Sequence, residues 1–161
     1  MANNILIPQM EPWFDDLEIN AVTDYMKSGG WVMEFKKTEE FEKMLAEYTG
    51  AKHCIAITNG TISLTLAMIA LGLTRDDEVL IPNLTMIASP NSAAMVEIKP
   101  ILVDIEEKTL CMDLEKAAKA ITSKTKALMY VSLNGRSANM EKVWLLSSIF
   151  ILSTEEGNFK W

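Results

Sequence analysis

The chain uses two spacings of apolar residues. Near the amino end the spacing is helical: Leu17, Ala21 and Tyr25, with Val22 and Met26, recur every three or four residues until "SGG" at 28–30 stops the pattern. A second helix is predicted in "TEEFEKMLAEYTG", where Phe41, Met44, Leu45 and Tyr48 stand at i, i+3, i+4 and i+7 and Gly50 supplies the end signal. Beyond residue 50 short apolar runs take over: "CIAIT" from 54, "EVLIP" from 78, "ILVDI" from 101, "ALMYVS" from 127 and "IFILS" from 149. Their starts lie 24, 23, 26 and 22 residues apart. Helical patterns fill the gaps at 61–72, 86–97 and 114–121, the last carried by Leu114, Ala117, Ala118 and Ile121, and a short one follows Ser137. Strands alternating with helices at this interval predict βαβ units on a parallel sheet. Runs without strict apolar–polar alternation suit strands buried on both faces. The predicted fold class is α/β.

Composition narrows the function. A length of 161 residues fits one domain with a real core, and 49% apolar with 23% charged residues is a globular balance. The net charge of −7 argues against a nucleic-acid surface, which needs clustered Lys and Arg. Two distant cysteines, Cys54 and Cys111, and a single histidine, His53, are a poor inventory for a metal site. On a strand, His53 and Cys54 would point to opposite faces, so the expectation is a buried Cys opening a core strand, not a nucleophile and its base. "ILIP" is too short for a targeting or membrane segment, and the longer apolar runs are interrupted by polar residues, so no membrane contact and a cytoplasmic location are expected.

In open parallel sheets ligands collect where strand ends lead into helices. The candidates are "TNGT" after the first run, "PNLT" after the second, "DIEEKT" after the third and "SLNGRS" after the fourth. At "TNGT", Gly60 allows close backbone approach and unusual dihedrals, and Thr61 adds a hydroxyl beside the unpaired amides of a helix start, which suits an anion. A plain Asn/Thr cap with a turn glycine explains the same letters. Pro82 ends a strand, Asn83 or Thr85 can cap the next helix, and Met86 in its first turn suits either a flat ring or the core. Arg136 could hold a carboxylate or a phosphate, or be solvated. Asp104 ends a strand, where a turn cap is sufficient explanation. Trp13 and Trp31 suit a sugar pocket or helix packing, and the eleven methionines read as adaptable core filling.

In order and spacing, "SGGW", "FEKMLAEYTGAKHCIAITNGTISLTLAMIALGL", "DDEVLIPNLTMIASPNSA", "KPILVDIEEKTLCMDLEKAAKAITSKTKA" and "VSLNGRSANMEKV" resemble the amino-terminal half of the DegT/DnrJ/StrS sugar aminotransferases. The resemblance runs from about Pro8 to Val143. It implies a pyridoxal 5'-phosphate (PLP) enzyme of fold type I: a three-layer α/β/α large domain with a mostly parallel sheet, here incomplete. It further implies that Gly60, Thr61 and Ile62 bind the cofactor phosphate and that Met86 takes the place of the residue laid against the pyridine ring. The implied reaction moves an amino group from an amino-acid donor to a keto sugar carried on a nucleotide diphosphate, in a family that forms homodimers. The organisation it implies is amino-terminal helices over 1–50, the PLP-binding α/β portion over 51–143, a divergent tail over 144–161, and no small carboxy-terminal domain.

The chain also departs from that family. Ser132 stands where the family has His, Thr154 falls at the place of the aspartate that pairs with the pyridine nitrogen, and Glu155 is the nearest carboxylate. None of the lysines, Lys124 and Lys126 included, lies in the context of the Schiff-base lysine. The expectation is therefore a truncated or frameshifted chain without a catalytic lysine, inactive alone unless another polypeptide completes it. The alternative is a non-catalytic PLP- or phosphate-binding module or a folded remnant.

Overall fold

The computed structural model describes residues 11–31, 36–137 and 139–151, with the side chains of 147–151 left aside. The chain forms two compact units, Met1–Ala56 and Ile57–Trp161.

The first unit carries α1 (Asp16–Lys27) and α2 (Lys36–Thr49). Asp15 opens α1 with a capping box: its carboxylate accepts from the Leu17 amide at 2.7 Å, and Glu18 accepts from the Asp15 amide at 2.9 Å. Both helices end where glycine was expected to end them. Gly29 and Gly50 adopt φ of 71°, a left-handed conformation that glycine enters without steric cost. Neither helix buries a residue. Trp13 and Trp31 are exposed. "CIAIT" is not a strand: no described strand pairs with it, the Ala56 amide donates to the Glu42 carboxylate at 2.7 Å instead, Ile55 is 77% exposed and Cys54 only half-buried. The predicted core cysteine at this point is thus corrected, because an apolar run becomes a strand only when another strand satisfies its backbone.

The second unit is a three-stranded parallel sheet, β1 (Glu78–Pro82), β2 (Lys99–Val103) and β3 (Thr125–Leu128), in the order β2-β1-β3. The central strand β1 is buried at every position, as its unbroken apolar run requires. Its alternation sorts two cores. Val79 and Ile81 meet Met68 of α3 (Gly60–Ala70) and Ala93 of α4 (Ala88–Ala94) on one face. Leu80 meets Ala117 of α5 (Leu114–Ala120) and Val143 and Leu146 of α6 (Met140–Ile151) on the other. Helices therefore cover both sides of the sheet, the expected three-layer arrangement. Met68 and Met112 fill these cores, whereas Met86 and Met95 stay exposed, so only part of the methionine set is packing material.

The run "IFILS" is a second correction. Its residues 149–151 close α6 instead of forming a strand. Val143 and Leu146 already bury one helical stripe, and the pattern continues at helical period. The aspartate position at Thr154 and Glu155 lies outside the described residues.

At the amino end of β1, Glu78 is buried and accepts hydrogen bonds from the Thr122 hydroxyl at 2.6 Å and the Lys99 ammonium at 3.0 Å. The Thr122 bond foremost, then Lys99, holds its carboxyl below the ordinary value of 4.5. A carboxyl depressed in the folded state contributes stability that is fully present above its unfolded pKa and is lost as pH falls through the folded one. Glu78→Gln is therefore expected to flatten the acid side of the stability profile, below about pH 4.5. Urea midpoints measured across that range check this; identical acid slopes for the two proteins would contradict it.

Candidate functional site

The sheet order places the strand-end crevice. The chain leaves β1 toward α4 on one face and leaves β3 toward α6 on the other, so the loops 83–87 and 129–137 part over the carboxyl edge between β1 and β3. Such a divergence is where open α/β sheets receive ligands. α3 joins this arrangement by packing on α4, pinned by the buried Thr65 hydroxyl, which donates to the Ser92 carbonyl at 2.9 Å.

The start of α3 is built on Asn59. Its side-chain oxygen accepts from the Ile62 amide at 3.0 Å, and its carbonyl accepts from the Ser63 amide at 3.2 Å. A helix start exposes several amides, and this cap consumes one of them. The Ile62 amide is thereby engaged within the chain, while the amides of Gly60 and Thr61 meet no acceptor among the described residues. The Thr61 hydroxyl is likewise without a partner among them, on a half-buried residue. Gly60 does not hold the unusual dihedral expected of it: it is the first residue of the helix, outside the left-handed region. A Cβ built there would meet nothing within 4 Å. Among the described residues nothing fills the space a Cβ would take, which leaves the backbone of Gly60 open to approach.

Met86 stands on the loop between β1 and α4 and is 75% exposed. Its carbonyl accepts from the Ser89 amide at 2.9 Å, and Thr85 and Ser89 share a hydroxyl contact of 2.8 Å. The capping expected of Asn83 or Thr85 does not occur. The residue at the helix boundary is Ile87, with no side-chain cap bond, because Asn83 turns to Asp104 and Thr85 to Ser89.

Asp104 is more than a turn cap. Its carboxylate accepts from Asn83 Nδ2 at 2.6 Å and from Lys116 Nζ at 2.9 Å. The Lys116 bond, reinforced by its charge, holds the Asp104 carboxyl below its ordinary value, and the lysine is raised in return. Sequence reasoning missed this trio.

On the other side of the divergence, Asn134 takes φ 52° in a short turn over Leu133–Gly135; Asn tolerates that left-handed position better than most residues. Ser132 and Arg136 are exposed, and the Arg136 guanidinium pairs with no carboxylate among the described residues. A cleft of about 380 Å³ opens at a different place, lined by Glu106, Asp113, Glu115, Asn139 and Lys142 among others. Three carboxylates against one ammonium give it the wrong sign for a phosphate. No group of three or more potential metal ligands occurs among the described residues, and no helix there is long and apolar enough to cross a membrane.

The chain has relatives of known name. A family model described as the DegT/DnrJ/EryC1/StrS aminotransferase family matches residues 13–149. GDP-perosamine synthase of Caulobacter vibrioides is 45% identical over 104 residues, 65% of this chain and 28% of that protein. GDP-perosamine synthase of Vibrio cholerae is 35% identical over 138 residues, 86% of this chain and 38% of that protein. Among solved structures, a Streptococcus pneumoniae protein named as a sugar aminotransferase, in its PLP form, superposes with a TM-score of 0.84 at 30% identity, over 96% of this chain and 39% of that one. The chain thus spans about a third of the length of the relatives it matches.

Proposed function

The chain belongs to the DegT/DnrJ/EryC1/StrS aminotransferase family, and on that premise we propose that its α/β unit is the cofactor-binding portion of an enzyme that aminates nucleotide-linked keto sugars. The cofactor is pyridoxal 5'-phosphate. The observation that carries this reading is the start of α3. Two amides without acceptors among the described residues, a hydroxyl beside them and open space over Gly60 suit a phosphate group. The Gly60 and Thr61 amides and the Thr61 hydroxyl hold the phosphate, and the positive end of the helix dipole adds to the attraction. Ile62 contributes only through its place in the first turn of α3, its own amide being taken by Asn59. Met86 would be the residue that contacts the pyridine ring, its polarisable sulfur offering a softer contact than an aromatic.

Once bound, PLP supplies the electron sink for amino transfer, and the protein supplies orientation. The covalent role is assigned to no lysine here; Lys99 and Lys116 are paired with Glu78 and Asp104. The keto sugar on its nucleotide, the amino-acid donor and a second copy of the chain are the partners this reading implies.

Titration with PLP tests the reading. Saturable binding is expected, with pyridoxal lacking the phosphate binding far more weakly. Borohydride reduction followed by mass spectrometry is expected to mark no lysine in preference to the others. A single preferred lysine would overturn the assignment of the covalent role; equal affinity for the two ligands would overturn the phosphate site.

A further inference from the structure

We propose that Asp104 is a positioning residue: by bonding Asn83 it fixes the loop that carries Met86. The parallel register pairs Pro82 with Val103, so Asn83 and Asp104 are the first residues past the ends of two neighbouring strands. The Asn83 amide donates to the Val103 carbonyl at 2.8 Å, which continues the ladder one step. Its side-chain amide then reaches Asp104 Oδ1 at 2.6 Å, while Lys116 takes Oδ2 at 2.9 Å. Lys116 also lies 3.9 Å from Asp113, the residue that caps α5, and the Asp113 amide donates to the Asp104 carbonyl at 2.9 Å. Strand β1, strand β2 and helix α5 are thereby tied at one carboxylate.

The tie does little for stability as an ion pair. Both charged side chains are more than half exposed, and such pairs contribute little. Its consequence is geometric. Asn83 is a residue suited to capping α4, yet that helix starts without a side-chain cap. The chain from Asn83 to Ser89 is instead held at its two ends, by Asp104 at one and by the Thr85–Ser89 contact at the other. Met86 stands inside the second of these, between Thr85 and Ser89, and the first fixes how that segment leaves β1. Freeing the first anchor lets the segment that carries Met86 shift without touching the phosphate loop at Gly60 and Thr61.

The link from Met86 to the cofactor ring rests on the function proposed above, so the test reads the tie and the ligand separately. The full chain is labelled with [13C-methyl]methionine, and the Met86 resonance is assigned by its loss in Met86→Leu. Asp104→Ala is expected to shift or broaden that resonance in the ligand-free protein. Asp104→Asn, which keeps an oxygen for Asn83 and loses the ionic partner of Lys116, is expected to leave it near the wild-type position. In the same proteins Asp104→Ala is expected to weaken PLP about fivefold while inorganic phosphate binds as before. A Met86 resonance unmoved in Asp104→Ala overturns the proposal. A resonance that moves in a protein whose wild-type form binds no PLP supports the tie and removes the cofactor reading.

Discussion

Thr61→Val is expected to weaken PLP binding about 10- to 100-fold, which is the loss of one charge-assisted hydrogen bond at nearly constant shape. The hydroxyl has no partner among the described residues, so its removal leaves no internal group unsatisfied and the fold should be unaffected. Gly60→Ala sharpens the comparison. Alanine is favoured over glycine in a helix by about 0.5–1 kcal/mol, and the added methyl meets nothing of the chain. The variant should therefore unfold at an equal or higher denaturant concentration and yet bind PLP more weakly, since the methyl would stand where the phosphate is proposed to approach. Isothermal or absorbance titration beside a denaturation curve checks both. A variant that loses stability and keeps its affinity would contradict the assignment of Gly60 to a ligand.

The largest expected effect on the fold is at Leu80. It sits at 0% exposure in the middle of β1, paired with Ile101 on one side and Leu128 on the other, and faces the core shared with α5 and α6. Its carbonyl also accepts from the Met129 amide at 2.8 Å, and its side chain packs in the strand to which both neighbours bond. Leu80→Ala removes three buried carbons and leaves a cavity between a sheet and two helices that cannot both collapse inward. A loss of about 2–5 kcal/mol is expected. Leu102, on the edge strand β2 and 60% exposed, is the control: Leu102→Ala should change stability by about 0.5 kcal/mol or less. Urea unfolding of the two variants measures the contrast, and equal losses would mean that the sheet does not carry the core described.

How far these features could be read from the residues depends on whether they are set locally. The stretch "EVLIP" announces a strand buried on both faces, and the parallel sheet covered by helices follows from it and its spaced neighbours. "CIAIT" and "IFILS" have the same apolar content and a different fate. A short apolar run does not distinguish strand from helix, and pairing decides the first while continuation of the Val143–Leu146 stripe decides the second. At the site, Gly60, Thr61 and Met86 were legible as residue types at strand–helix junctions. The diversion of the Ile62 amide was also within reach, because an Asn cap usually takes the amide three residues on. The tie at Asp104 was not. Its partners lie 21 residues before it and 12 after it; the register between β1 and β2 brings Asn83 to it, and the placement of α5 brings Lys116.

The central claim is that the start of α3 receives the phosphate of PLP. Its most direct measurement is a PLP titration followed at individual backbone amides by 15N-resolved NMR. Saturable shifts are expected, largest at Gly60 and Thr61 and smaller at Ile62, whose proton Asn59 already holds. Shifts centred on other residues, such as Arg136 or Lys142, with Gly60 and Thr61 unmoved, would contradict it.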